Sequence, residues 1–394
     1  MTQPVSTRRY LDNAATSWPK PDAVYAAVDA YQRECGVAVG RGATRIATGL
    51  AITVDRCRQR AARLLGAESA NRVVFTFNGT DGLNLALNGL LQPGDRVVTS
   101  VAEHNSVLRP LWAQREFGGV EVEYAPLDDQ GLVNRDALRE LVTPETTLVV
   151  LTHASNVTGT IQPIEDAGEI THSVGALLLV DAAQTAGHVP IDVSSLPVDI
   201  LACSGHKGLL GPLGTGLLYL CPGMEELVFP MRLGGTGSQS ETDEQPATMP
   251  DRYESGNHNA PGIAGLDAAL GWIEEQGIDA LHQQSGALTD QLIEGLRTID
   301  GVQMYGSSTP AERVGVVSLN IDGIAPHEVA TILDQNFGIE VRPGFHCAPL
   351  IHKSLGTDSL GGTVRMSVGP FNTADDIEAA VSAIREIAEA MRTV

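Results

Sequence analysis

The sequence predicts an α/β protein: a mostly parallel, doubly wound sheet of seven strands, followed by a smaller α+β domain. Three observations carry this expectation. Short apolar, β-branched runs alternate with helical patterns up to residue 220. Several of these runs are apolar on both faces, as a sheet covered by helices on each side requires. Past about residue 265 the alternation gives way to a long helical stretch and a few further strands.

The strand runs are Val73–Phe77, Arg96–Ser100, Val120–Tyr124, Thr147–Leu151, Ala176–Val180, Ile200–Ala202 and Gly216–Leu220. Between them, Ala51–Leu65, Gly82–Leu91 and Asn134–Leu141 carry helical spacing. Farther on, a helical stretch from Ala264 to Ile299 precedes a strand at Val314–Asn320. A helix over Pro326–Gln335 and strands at Gly338–Val341 and Thr363–Ser367 come next. In the last helix, Thr373 and Asp376 form a capping box. Ile377, Val381, Ile384, Ala388 and Met391 form its apolar stripe. The polar segment Thr236–Asp251 reads as a mobile loop or hairpin. The expected division is an N-terminal segment, 1–20, packing with the small domain; a large domain, 21–264; and a small domain, 265–394.

With 394 residues, 43% of them hydrophobic, the chain can bury a sizeable core in two domains. The formal charge of −22 excludes nucleic acid and anionic membrane as bulk partners, since both reward basic surface. Five scattered cysteines without a CxxC pair indicate a reduced, cytoplasmic setting. No apolar run reaches the ~18 residues of a membrane span, and Met1–Arg9 lacks the apolar core of a signal peptide. The ten histidines form no HxxxH or Cys/His cluster, so no metal site is expected.

Chemistry gathers at strand ends. The apolar run Ile200-Leu-Ala202 leads into Ser204-Gly-His-Lys207, putting a lysine at the carboxyl edge of the sheet, where open α/β sheets hold ligands. Ser204 and His206 can hydrogen-bond a phosphate. A lysine beside a phosphate site is what a pyridoxal phosphate enzyme needs, because its amine condenses with the aldehyde. Four other loops carry fitting groups. Gly79 and Thr80 open a helix whose N-terminal amides suit an anion. His104 can stack on a pyridine ring and move protons. Asn156 can reach a ring oxygen. Asp181 closes an apolar strand, a costly place for a carboxylate without a partner, and a pyridinium nitrogen is such a partner. Gln184 can bond the ring hydroxyl. Each fragment alone fits an ordinary cap, turn or surface lysine equally well; the five in order do not.

Leu11-Asp-Asn-Ala-Ala-Thr16, Thr80, Glu103-His104, Ser155-Asn-Val-Thr-Gly159, Asp181-Ala-Ala-Gln184 and Ser204-Gly-His-Lys207 together resemble the class V, fold-type-I pyridoxal phosphate enzymes, and within them the cysteine desulfurases. The resemblance implies that Lys207 carries the cofactor and that Thr80, Ser204 and His206 hold its phosphate. Asp181 pairs with the pyridine nitrogen, Asn156 and Gln184 flank the ring oxygen, and His104 stacks on the ring. Arg342-Pro-Gly-Phe-His-Cys347-Ala348 resembles the segment with the catalytic cysteine. Its Gly- and Pro-rich setting suits a thiol that must swing to its substrate. Arg342, His346 and His352 are near enough in sequence to favour its thiolate. Arg365 matches the arginine that grips the substrate carboxylate, with Arg342 assisting and Asn156 beside it.

The 18-residue spacing from Cys347 to Arg365 and the 235–254 insert are similar to the group II branch, the SUF-type desulfurases and selenocysteine lyases. The chain departs from that branch at Phe345, where a second histidine is usual, and at Asn257, where a threonine usually reaches the partner subunit's phosphate. The resemblance implies a homodimer that converts L-cysteine to L-alanine through a Cys347 persulfide. The persulfide would pass to a thiol acceptor, such as a small sulfur-acceptor protein. Alternatives are a selenocysteine lyase, a cysteine or cystine C–S lyase, and, further off, a class V aminotransferase or a catalytically silent scaffold.

Overall fold

The computed structural model describes residues 8–40, 42–307, 309 and 312–392. The first seven residues of the expected N-terminal segment lie outside them. In chain order the first half holds β1 (Arg9–Tyr10), α1 (Asp22–Ala30), α2 (Arg45–Leu65), β2 (Val73–Thr76), α3 (Gly79–Leu90), β3 (Arg96–Ser100) and α4 (Asn105–Phe117). There follow β4 (Glu121–Ala125), α5 (Arg135–Leu141), β5 (Thr146–Thr152), α6 (Ile164–His172), β6 (Leu177–Asp181), β7 (Ile200–Ser204) and β8 (Gly216–Leu220). All seven expected strand runs pair into one sheet, ordered β2-β8-β7-β6-β5-β3-β4. Only β8 runs against its neighbours; the other pairings are parallel.

The period of two sorts the sheet's side chains into two cores. Val73, Phe75, Val149, Leu151, Leu178 and Leu201 pack with Leu50, Val54, Cys57 and Ala61 of α2. Val74, Leu148, Val150, Leu179 and Leu218 pack with Leu83 and Leu87 of α3 and Val107 and Leu111 of α4. Helix starts lie upstream of the apolar periodicity because polar caps set them. Thr44 caps α2, accepting from the Ala47 N–H. Asn78 caps α3, accepting from Asp81 N–H, which moves Gly79 and Thr80 into the first turn.

The second half holds α7 (Met224–Leu227), α8 (Ala260–Gln276), α9 (Ile278–Arg297), β9 (Val302–Tyr305), β10 (Val316–Ile321) and α10 (Pro326–Phe337). It closes with β11 (Ile339–Glu340), β12 (Arg342–Gly344), α11 (Pro349–Leu355), β13 (Thr363–Ser367) and α12 (Ala374–Arg392). The expected single helical stretch is two helices, because Gly277 takes φ 81°, ψ 127° and breaks the ladder. Helix α8 packs on α1 and α2, whereas α9 packs on α12. The four-stranded antiparallel sheet β12-β13-β10-β9 carries its own core, with Val317, Leu319, Val364, Met366, Ile377 and Ile384. The expected strand at 338–341 is the short β11, which pairs with β1, and a further strand beyond it, β12, pairs with β13. The capping box forms as expected, with Thr373 N–H donating to Asp376 Oδ2 and Asp376 N–H to Thr373 Oγ1.

The 236–251 insert forms no strand pairing; it is an irregular loop tied by Gln245, whose Nε2 donates to Arg252 O and Ser255 Oγ. The N-terminal stretch joins the two sheets. Leu11 pairs with Glu340 and Ser367, and Ser17 N–H donates to His206 O beside Lys207. Among the described residues no helix is long and apolar enough to cross a membrane.

Candidate active site

The loops that follow β2, β3, β5, β6 and β7 leave one edge of the large sheet and meet Arg342 and Arg365 of the small sheet's β12 and β13 around a cavity of about 300 Å³. Gly79, Thr80, His104, Asn156, Asp181, Gln184, Ser204, His206, Lys207, Arg342 and Arg365 all line it. Of the residues expected to bind cofactor or substrate, only Asn257 lies elsewhere, in a crevice with Phe77, Arg232 and His258. A larger groove of about 630 Å³ between α1, α2 and α8 holds none of these residues.

Parallel strands supply the precision. Thr152 and Asp181 stand side by side at the ends of β5 and β6. Asp181 is 4% exposed and its Oδ1 accepts from the Ala183 N–H. Burial raises its pKa, opposed by that hydrogen bond and by Lys207. Burial pushes the Lys207 ammonium down to about 8, with Arg365 and Arg342 adding to the effect against Asp181. The Lys207 turn is set by close backbone packing: Gly205 N–H donates to Thr215 O, and Gly211 N–H to Gly205 O. A Cβ at Gly205 would meet Thr215 Oγ1 at 2.1 Å. The glycine-rich run 211–216 therefore packs under the lysine turn.

His104 caps α4, and its Nδ1 accepts the Ser106 N–H. Burial, then Lys207 and Arg342, push its pKa down to about 3. The ring is neutral, with its proton on Nε2. Ser106 links the two neighbouring loops: its Oγ lies 2.7 Å from Thr80 Oγ1 and 2.8 Å from His104 Nδ1. Gly79 N–H donates to Ser204 Oγ. At the far side, Thr16, Ser17 and Lys20 all donate to the His206 carbonyl. Sequence reasoning missed Ser106 and Lys20. Ser106 had one usable sign, its place two residues past His104 at a helix start.

Arg365 is 1% exposed; Nη1 donates to Asn156 O and Nη2 pairs with Asp12 Oδ1 at 2.8 Å. Its Nε is buried without a partner. Asp12, part of a recognised motif but not of the expected site, therefore orients the arginine.

Cys347 stands behind Arg342, whose Nη2 donates to its sulfur at 3.3 Å. Its loop is a bend held by hydrogen bonds at several points. His346 and Cys347 both take positive φ, 49° and 60°, a conformation that costs about 1–2 kcal/mol per non-glycine residue. Asn105 N–H donates to Cys347 O at 2.7 Å, and Asn156 Nδ2 to His346 O at 2.6 Å. His346 Nε2 lies 3.0 Å from Thr363 Oγ1 and 3.1 Å from Thr363 O. Ala348 and Ile351 pack on Ala102 and Val157. Asn156 thus bonds the cysteine loop as well as facing the cavity. Two of the three expected charge donors to Cys347 fail. Burial, then Arg365, push His346 down to about 2, and burial lowers His352, whose Nδ1 lies 2.7 Å from Thr357 Oγ1. Both rings are neutral, which leaves Arg342 as the cation on the sulfur. Among the described residues no metal-binding cluster forms.

A strand-edge cavity that joins lysine, aspartate and a capping histidine defines an α/β enzyme of the aminotransferase type. Residues 9–380 match the family model described as Aminotransferase class-V. A probable cysteine desulfurase of Methanothermobacter thermautotrophicus is 37% identical over 96% of this chain and 94% of its own. A cysteine desulfurase of Salmonella agona is 32% identical over 96% and 93%. Among solved structures, the apo cysteine desulfurase of Thermococcus onnurineus superposes with a TM-score of 0.91 at 34% identity, over 97% of this chain and 95% of that one. One from Escherichia coli gives 0.86 at 32%, with the same coverage. The chain belongs to the cysteine desulfurases of the class-V aminotransferase family.

Proposed function

We propose that this enzyme binds pyridoxal phosphate through Lys207 and removes sulfur from L-cysteine, leaving L-alanine and a persulfide on Cys347. The observation that carries this reading is the placing of Arg342 between two tasks: it lines the cavity with Lys207 and Arg365 and donates to the Cys347 sulfur. A C–S lyase has no use for a thiol held there.

The lining residues fit the cofactor. Asp181 keeps one carboxylate oxygen for a cationic ring nitrogen after Oδ1 is spent on Ala183. The Thr80 hydroxyl and N–H, at the start of α3, and the Ser204 hydroxyl suit a phosphate. His206 Nδ1 is buried without a partner, and His104 and Gln184 face the space between. Bound there, pyridoxal phosphate supplies an electron sink for the α-carbon of an amino acid. Lys207, with its lowered pKa, takes and returns the α-proton. Arg365 holds the substrate carboxylate, and neutral His104 offers its Nε2 proton to the cavity. The Cys347 thiolate attacks the substrate sulfur. A new S–S bond forms as the Cβ–S bond breaks, and its electron pair remains with the substrate, which leaves as alanine after protonation. A thiol acceptor then takes the outer sulfur. This reading keeps the expected second copy of the chain and a cytoplasmic setting as parts of the proposal.

The test is anaerobic incubation with L-cysteine and excess dithiothreitol, wild type beside Cys347→Ala. Equal sulfide and alanine, lost in the variant, support the reading. Activity that survives the substitution, with pyruvate as product, overturns it.

A further inference from the structure

Among the described residues, Glu103 is the one carboxyl group beneath the cavity that the proposed function leaves without a task. It is 0% exposed, it directly precedes His104, and among the described residues no cationic side chain pairs with it. Its hydrogen bonding is one-sided. Oε1 accepts from Ser100 Oγ at 2.6 Å and from Thr152 N–H at 3.0 Å, whereas Oε2 is buried with no partner. An ionised carboxylate needs donors on both oxygens when it is taken out of water. A carboxylic acid leaves one neutral O–H unpartnered there, which costs far less than leaving a charged oxygen dry with no cation beside it. The facing charge is Asp181, next to Thr152 across the β5–β6 ladder. Around this layer stand His104 on the same loop, His153 after Thr152, and Lys207 beyond Asp181; both histidines are neutral.

We propose that Glu103 is a positioning residue held as a neutral carboxylic acid, fixing the ends of β3 and β5 under the cavity while Asp181 remains the single ionised carboxylate of the buried layer. Two adjacent carboxyl groups that share one low-dielectric space cannot both ionise cheaply. The acid of the pair is therefore assigned by the facing charges: among the described residues no cation faces Glu103, whereas Asp181 lines the cavity and has Lys207 to favour its charge. Burial raises Glu103 to about 8 from 4.5, consistent with this assignment. A group with a raised carboxyl pKa binds a proton in the folded but not the unfolded state between these values, so its stability contribution falls as pH rises from 4.5 to about 8.

The assignment rests on the proposed function only for its catalytic readout. The test uses purified, cofactor-loaded wild type and Glu103→Gln. The Tm difference, variant minus wild type, should become more positive as pH rises from about 5 to 8 and then level. Sulfide production in the variant should stay within about twofold of wild type at pH 7, because the amide keeps the carbonyl acceptor. A Tm difference that is flat with pH overturns the proposal whether or not the protein releases sulfide. So does a variant that keeps its fold and loses more than about tenfold activity. Glu103→Ala, which removes the acceptor, should lose more activity than Glu103→Gln; equal loss also overturns it.

Discussion

The Lys207 turn, which lines the cavity, and the Cys347 bend, which stands behind Arg342, are built in opposite ways. Lys207 sits at the end of a strand whose neighbours are all in register, and close glycine packing sets its turn. Nothing near it among the described residues is strained except Leu210, at φ 57°. Cys347 follows a strand of three residues and is held in two successive left-handed conformations by hydrogen bonds borrowed from elsewhere: Asn105, Asn156 and Thr363. A sheet edge gives a fixed anchor at no local cost. A pinned bend stores strain that its pins must outweigh, and in return it points a side chain where no regular element would.

The largest test of this comparison separates the two regions. Lys207→Ala should lower sulfide release by at least ~10³-fold and remove absorbance near ~420 nm. Cys347→Ala should lose sulfide release to a similar extent and keep the absorbance. If both variants lose it, the two regions are not independent. Next, the sheet side should carry more stability. Glu254→Ala breaks the buried pair with Arg58 and strips the Phe75 N–H of its acceptor. It should cost ~3–5 kcal/mol, read as a fall in the denaturation midpoint.

The pH response distinguishes them further. The Lys207 amine must be neutral to take up the aldehyde, and its pKa lies at about 8. Uptake by the apoprotein should rise about tenfold per pH unit below that value and level above it. On the other side, His346 is neutral with its pKa depressed to about 2 from 6.5. The unfolded chain gains that proton first, so stability is intact above pH 6.5 and declines as pH falls below it. His346→Asn should blunt the decline in a Tm–pH series. The smallest effect is expected from Thr363→Val, which removes one bond to His346: about 1 kcal/mol, and faster amide exchange over 343–348 with the absorbance unchanged. Exchange that speeds equally around 204–208 would merge the two regions into one unit.

The same contrast explains what the sequence makes legible. The seven strands are visible because each is a short apolar run between helical periods, and the cavity residues of the large domain because they stand at the ends of those runs. Helix starts at Arg45 and Gly79 lie outside the apolar pattern, since Thr44 and Asn78 set them by single side-chain caps. The break at Gly277 is hidden because the periodicity runs on through it. The pins of the bend are not visible at all: Asn105, Asn156 and Thr363 are far apart in sequence, and nothing in their types marks a carbonyl or imidazole as the partner. Likewise, residue type suggests two cationic histidines at His346 and His352, whereas burial decides their charge and leaves both neutral.

One consequence concerns the order of synthesis. Residues 16–20 clasp the carbonyl next to Lys207, and residues 9–13 are themselves anchored on 338–340 and 367. A growing chain makes the clasp first and its anchor last. Until residue 367 has left the ribosome, the lysine loop has its sheet but not its latch. The contacts beside Lys207 are thus complete only when both ends of the sequence are in place.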